Sequence, residues 1–215
     1  MPRNENCELK NELEETLIRQ LQEQGLNATT YKSIADDLGI SRALVQHYYP
    51  KKIDFALFFL ETLMSEAAKT LGIDSYSSNE RLNVEDAYLL GCLYYGYLLD
   101  DEGGSQLLFD ILKDRELSDE LMRAHYEWGL ENIDPTRPDF ESRSHDVITT
   151  WGGFYELMYM ALKQGFDPDL PKSSIPLLVS FLADSSEVHI NADKLRGMHI
   201  DPTKLGILKN VMKKR

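Results

Sequence analysis

Between residues 41 and 52, the side chains that could do chemistry are those that read nucleic-acid bases. Arg42 could hydrogen-bond the O6 and N7 atoms of guanine, and Gln46 could bond the N6 and N7 atoms of adenine. A small or apolar side chain could contact the methyl group of thymine. With the neighbouring imidazole, the candidate base contacts are Arg42, Ala43, Leu44, Gln46 and His47.

Flanking residues have the chemistry of phosphate ligands. Lys52 lies where a helix is predicted to begin, and the free amide groups of a helix N-terminus also favour anions. Hydroxyl and ammonium groups nearby could add phosphate hydrogen bonds. The candidate phosphate contacts are Thr30, Lys32, Ser41, Tyr48 and Lys52, with Lys51 beside them. Lysines at a helix start are also commonly solvated, so these residues alone do not identify a DNA-binding protein.

Two short helices are needed to position these side chains. Gly39 tolerates a positive φ and separates the two, and Ser41 is a good cap for the second helix. In a helix-turn-helix the second helix enters the major groove with its N-terminal residues leading. Leucine spacing, hydroxyl caps, glycines and Pro50 together predict helices at about 9–25, 30–39, 41–49 and 51–70. Such a pair also occurs in α-helical proteins that do not bind DNA.

The rest of the sequence is also predicted to be helical. Breakers such as Gly103-Gly104 and Asp201-Pro202 separate stretches at about 84–100, 105–114, 118–132, 141–164, 173–188 and 201–213. The sequence has no alternating strand pattern of useful length, which predicts an all-α fold. We place a three-helix DNA-binding domain at 1–52 and a second helical domain at 53–215, with a connecting helix at 51–70 and a polar linker near 72–83.

Composition and charge bear on whether the protein binds DNA, is secreted or is associated with a membrane. The formal net charge is −13 over 215 residues, but residues 1–55 hold seven Lys or Arg against nine Asp or Glu. Most of the acid therefore lies away from the predicted helix-turn-helix. We see no secretory signal, and the longest uncharged apolar stretch, 87–99, is too short to span a membrane. Two cysteines argue against a disulfide framework, so we expect a cytoplasmic protein without a membrane partner.

Several fixed offsets between residues 9 and 60 resemble one family. Its pattern is a helix ending in Gly, a Thr-Thr cap, Ile-Ala, Gly-(Val/Ile)-Ser, an aromatic pair and a Lys opening the fourth helix. The matching positions here are Gly25, Thr29-Thr30, Ile34-Ala35, Gly39-Ile40-Ser41, Tyr48-Tyr49 and Lys52, followed by the apolar Phe55. This segment, about a quarter of the chain, is similar to the DNA-binding domain of the TetR family of bacterial transcriptional regulators. A tyrosine common in the family's recognition helix is replaced here by Gln46.

The resemblance implies a homodimeric regulator, expected to be a repressor that a small-molecule effector releases from a palindromic double-stranded DNA operator. It also implies a dimer interface from the helices at about 141–164 and 173–188, where Gly152-Gly153 would allow close approach of backbones. The two recognition helices of such a dimer lie about 34 Å apart, one DNA turn, or somewhat more. The alternative is a co-regulator that uses the same fold to bind a ligand or a partner protein instead of DNA.

Aromatic stripes in the second domain suggest where an effector would bind. Such stripes with a few polar tips suit an apolar small-molecule pocket, although at helical spacing they are also typical of ordinary core. The candidate effector contacts are Tyr88, Cys92, Tyr95, His125, Trp128, Trp151, Tyr155 and Met158. The basic tail at 209–215 could touch DNA or an acidic face, or be solvated.

The sequence lacks the common motifs of catalysis. The sequence contains no His-Glu-x-x-His pair, paired Cys-x-x-Cys, phosphate-binding glycine loop or Gly-x-Ser-x-Gly elbow. The five histidines are scattered, and acidic pairs such as Asp36-Asp37 fall at helix ends. We therefore expect no catalytic residues, no metal site and no cofactor.

Overall fold

The computed structural model describes residues 2–73, 81–133, 139–165, 194–195 and 197–215. Within these ranges the chain is all-α, and no strand is present. The helices are α1 (Pro2–Ala28), α2 (Tyr31–Leu38), α3 (Arg42–Tyr48), α4 (Ile53–Leu71), α5 (Val84–Asp100), α6 (Glu102–Leu112), α7 (Arg115–Asn132), α8 (Phe140–Gln164) and α9 (Pro202–Met212). The all-α prediction is confirmed there. The helix predicted at 173–188 lies outside the described residues.

Local capping chemistry sets the ends of α2 and α3. Thr30 accepts from the Ser33 amide at 2.9 Å while the Ser33 hydroxyl accepts from the Thr30 amide at 2.8 Å, which makes a reciprocal capping box. Gly39 ends α2 with φ 65°, a conformation that favours glycine, and Ser41 then caps α3 through the Leu44 amide at 3.2 Å. Val45 is fully buried beneath α3, so the apolar side of α3 fixes this helix to the core that it shares with α1 and α2. Together α1, α2 and α3 are called the head.

Three predicted helix starts and ends are corrected by the structure. The first helix was expected to end at Gly25, but α1 kinks there, with φ 74°, and continues to Ala28. The fourth helix begins at Ile53, two residues later than the sequence suggested. The helix predicted from 118 begins at Arg115, because Asp114 accepts from the amides of Glu116 and Leu117 and caps it.

The start of α6 corrects the interpretation of Gly103-Gly104 as a helix breaker. Both glycines lie inside the first turn of α6, and Asp101 caps it by accepting from the Gly104 amide at 3.1 Å. A Cβ added at Gly103 would lie 2.4 Å from the carbonyl oxygen of Gln22 in α1. Position 103 requires glycine because the backbones of α6 and α1 are in contact there. Local helix propensity does not reveal this requirement.

One continuous hydrophobic core extends from the head into the remaining helices, α4 to α9, which are called the body. Phe55, Phe59 and Leu63 of α4 are fully buried and continue the apolar layer begun by Leu17 and Leu21 of α1. α4 contacts α1, α5, α7 and α9, and α6 contacts α1, α5, α7 and α8. No helix in the described ranges is long and apolar enough to cross a membrane.

Candidate nucleic-acid interface and ligand cleft

The outer side of α3 carries the predicted base-reading residues. Arg42, Ala43, Gln46 and His47 are all exposed, whereas Leu44 and Tyr48 are half-buried at the border. The opposite side is anchored by Val45 and, just after the helix, by Tyr49, which is 8% exposed. A short helix held from below with a polar outer side is the arrangement needed to enter a groove.

Arg42 packs against an aromatic ring next to this surface. Its guanidinium carbon lies 6.0 Å from the centre of the Tyr31 ring, at the limit of a cation–π contact. The Tyr31 hydroxyl donates to the carbonyl of Pro50 at 3.2 Å, which links α2 to the turn after α3. Burial raises the pKa of Tyr31, so the ring stays neutral beside the cation.

The candidate phosphate contacts divide into outward and inward groups. Lys32 is exposed on α2, while the Thr30 and Ser41 hydroxyl oxygens accept from backbone amides as helix caps. The Lys52 ammonium instead donates to the carbonyl of Thr29, and its burial lowers the pKa of Lys52. Lys51 is exposed but lies 3.2 Å from Glu120 of α7. Of the three lysines, Lys32 is best placed to reach a phosphate.

Acidic groups near the head are partly neutralised within the chain. The Asp37 carboxylate accepts from Gln20 at 3.1 Å and pairs with Arg19, and these two contacts hold the pKa of Asp37 below its usual value. The pair also ties α2 to α1 on the side of the head. Asp36 is exposed without such a partner among the described residues.

Four of the predicted effector contacts, Tyr95, His125, Trp151 and Tyr155, lie together in the core. Tyr94, which was not predicted, also contacts His125. Tyr94 bonds Nε2 of His125 at 3.0 Å, and Tyr95 and Tyr155 both contact Nδ1. The Trp151 ring lies 5.4 Å from the imidazole. Burial lowers the pKa of His125 to about 3, so the imidazole is neutral at physiological pH. The cluster is a polar network set into apolar core.

The other predicted effector contacts are Tyr88, Cys92, Trp128 and Met158. Met158 is fully buried, and the buried indole N–H of Trp151 has no hydrogen-bond partner among the described residues. Tyr88 hydrogen-bonds Cys92 one turn along α5, and burial raises the pKa of Tyr88. The eight residues are therefore not one cavity wall: some form the His125 network, Tyr88 and Met158 are packed core, and Trp128 lines a separate cleft.

A cleft of about 310 Å³ opens beside His125, between α4, α5 and α7. Its lining residues are Leu57, Leu60, Glu61, Met64, Tyr94, Leu121, Ala124, His125, Glu127, Trp128 and Glu131. Only His125 and Trp128 of these were predicted. The sequence predicted α4 only as a connecting helix and did not indicate that α4 and α7 face each other here.

A second polar centre joins the head to the body. Asp110 of α6 is 2% exposed and accepts from the backbone amide of Asn27 at 3.0 Å and its side chain at 2.7 Å. It also accepts from Gln106 at 3.0 Å and Lys113 at 2.8 Å. The Gln22 side chain of α1 donates to the Tyr97 hydroxyl at 3.1 Å nearby. These bonds fix the end of α1 to α6 and α5.

The basic tail packs on the body. Arg215 pairs with Glu66 of α4, and Lys209 lies 2.9 Å from the carboxylate of Asp100. Lys204 donates to the carbonyl of Thr70 at 2.6 Å. Within this segment, Lys209 and Arg215 contact acidic side chains of the body, while Lys213 and Lys214 are exposed.

Comparison with known proteins found no counterpart. A scan against protein-family models, a search of curated proteins and a search of solved structures each returned no match. In the part of the chain that is described, no group of three or more His, Cys, Asp or Glu side chains could hold a metal ion. The features of this chain that bear on function are the outer side of α3, the cleft beside His125 and the contacts that join α1 to α6.

Proposed function

We propose that this protein is a TetR-like transcriptional regulator that binds a palindromic operator as a homodimer. The observation that carries the proposal is the outer side of α3, where Arg42, Ala43, Gln46 and His47 are exposed together while Val45 is buried. These side chain types match the donor and acceptor pattern of base edges in the major groove. The sequence resemblance from residue 9 to 60 supports the same assignment.

Regulation by a ligand has structural support in the link between head and body. The His125 network and the cleft both use α7, and α7 contacts α6. In turn, α6 packs backbone to backbone on α1 at Gly103 and binds Asn27 through Asp110. A ligand that favours one position of α7 would shift the head of a repressor through this route, with a coupling of about 1–3 kcal/mol.

The homodimer is proposed through α8 and the segment at 173–188, which lies outside the described residues. On α8, Ile148 is 46% exposed and Gly153 is exposed with no atom of the described residues within 4 Å of an added Cβ. An exposed apolar side chain and an exposed glycine on α8 permit the close helix contact of a two-fold interface.

Selection of bound fragments from random duplex DNA tests the proposal directly, because a palindromic consensus requires both DNA binding and two-fold symmetry. Failure to enrich any duplex would reject it. Gel shifts on the selected operator then test the individual residues. Arg42→Ala should reduce the difference in binding free energy between operator and random DNA by about 1–3 kcal/mol.

Lys32→Ala tests the phosphate role separately. It should weaken binding to all sequences alike and reduce the salt slope by about one unit. The matched control is Arg115→Ala, since Arg115 is an exposed cation on α7 paired with Asp119. If Arg115→Ala weakened binding as much as Arg42→Ala, the effects would reflect net charge and not a reading surface.

A second candidate is a co-regulator whose head docks on a partner protein. The observation that favours it is the inward placement of the Lys52 ammonium and the pairing of Lys51 with Glu120, which reduces the free positive charge near α3. Under this alternative Leu44, half-buried at the border of α3, would be the centre of contact. Leu44→Asp would then abolish partner binding, and no duplex would be selected.

A further inference from the structure

The cleft between α4, α5 and α7 has an apolar floor and an acidic rim. Leu60, Leu121 and Tyr94 are at most 4% exposed at its base. Glu61 of α4 and Glu131 of α7 are exposed at the rim, so solvent reaches the cleft from that side. A volume of about 310 Å³ is at the lower end of the usual range for small-molecule sites.

The charge of the cleft is uncompensated. The lining contains Glu61, Glu127 and Glu131, and none of the described residues that line it is Lys or Arg. Glu127 is 3.8 Å from Arg123, whereas Glu61 and Glu131 have no ion-pair partner among the described residues. Burial, and then the charge of Glu131, raise the pKa of Glu61. The two carboxylates repel each other beside apolar surface, an arrangement that a bound cation would relieve.

The uncharged part of the lining also suits a cation with an apolar body. Tyr94 and Trp128 supply aromatic rings, which attract ammonium groups at their faces. His125 is neutral and its nitrogens are held by tyrosine hydroxyls, so it adds no competing positive charge. Met64 adds an adaptable apolar contact. A metal ion is not the expected cation, because the described residues include no group with metal-ligand geometry.

We infer that this cleft binds a small organic cation, an ammonium group carried on an aryl or alkyl body, with the ammonium between Glu61 and Glu131 and the body against Tyr94, Trp128 and Leu60. Neutral ligands leave the two carboxylates uncompensated, and anions add to the repulsion. That this cation is the effector of the regulator rests on the proposed function; that the cleft binds it does not.

The test is isothermal titration calorimetry on the full chain without DNA. The probe is benzyltrimethylammonium, compared with its neutral carbon isostere neopentylbenzene and with phenylacetate. We expect heat of binding for the cation, weaker binding of the neutral isostere by about tenfold or more, and none for the anion. Glu61→Gln and Glu131→Gln should each raise the Kd of the cation by about tenfold.

Glu116→Gln is the matched control, because Glu116 is an exposed glutamate in the first turn of α7, outside the cleft. It should leave the Kd of the cation unchanged. Trp128→Leu should raise that Kd several-fold, since a cation–π contact is lost while apolar volume is retained. Circular dichroism on each variant verifies that the helices persist.

Three results would overturn the inference: equal affinity for the cation and neopentylbenzene, a cation Kd unchanged in both cleft Gln variants, or no heat from any probe. Failure of the proposed function gives a different pattern. If the cation binds and the cleft variants weaken it, while no duplex is enriched from random DNA, the cleft assignment is supported and only the DNA-binding proposal is rejected.

Discussion

Replacing Gly103 with alanine should push α6 away from α1. The added Cβ would lie 2.4 Å from the carbonyl oxygen of Gln22, 2.8 Å from its Cα and 3.0 Å from its carbonyl carbon. Ordinary contacts between carbon atoms are about 3.5–4.0 Å. All three neighbours are backbone atoms, so no side chain rotation can relieve the overlap. The two helices must instead separate by about 1 Å.

The magnitude follows from two opposed effects. Overpacking of this kind costs about 1–3 kcal/mol. Alanine recovers at most about 1 kcal/mol over glycine through its helix propensity, and less in a first turn. We therefore expect Gly103→Ala to lower the free energy of unfolding by about 1–2 kcal/mol, which corresponds to a Tm lower by about 2–8 °C for a chain of this size. Under the proposed function, operator affinity should fall as well, because α1 carries the head.

Urea unfolding followed by circular dichroism measures the first effect, and a gel shift measures the second. Gly96→Ala is the matched control: it adds the same methyl group within α5, where no atom of the described residues lies within 4 Å of the new Cβ. Gly96→Ala should stabilise the protein by up to about 1 kcal/mol. If Gly103→Ala proved as stable as Gly96→Ala, the close approach of α6 and α1 would be refuted.

Two further predictions concern buried polar groups and caps. Because burial lowers the pKa of His125 to about 3, the unfolded chain binds a proton below pH 6.5 that the folded chain rejects. The wild type should thus lose about 2 kcal/mol more stability than His125→Gln between pH 7 and pH 5 in urea unfolding, and equal slopes would contradict this. Thr30→Ala removes the cap of α2 and should cost about 1 kcal/mol, whereas Thr203→Ala, at an exposed position of α9, should change stability by less than about 0.5 kcal/mol.

The head was predictable because its signals are local. Thr30, Gly39 and Ser41 act on residues within four positions, and each forms the cap or turn expected of it. Burial of Ile34 and Val45 follows from the same helical spacing. Here local chemistry and tertiary packing agree, so a single sequence is enough.

Long-range contacts explain what the sequence did not reveal. From the sequence Gly103 is interpreted as a helix breaker, but in the structure it allows α6 to pack closely on α1. Lys52 is predicted to bind phosphate, but its ammonium donates to the Thr29 carbonyl. In the second domain, the stripe containing Tyr95 was found, but its neighbour Tyr94 also reaches His125. Helical spacing alone does not indicate which faces of two distant helices meet.

The acidic rim of the cleft was missed for a similar reason. A glutamate on a helix is usually solvated, and the sequence alone does not distinguish that case from Glu61 opposite Glu131. The two residues are 70 positions apart along the chain. Their proximity becomes evident only once α4 and α7 are packed together.

The hydrogen bonds of Asp110 restrict which residues the fold can accept at position 110. Its two oxygens accept four hydrogen bonds, two from Asn27 and one each from Gln106 and Lys113. Asparagine would turn an NH2 group toward those donors, and glutamate would need room for another methylene. A library randomised at position 110 and sorted for folded protein should return aspartate almost alone.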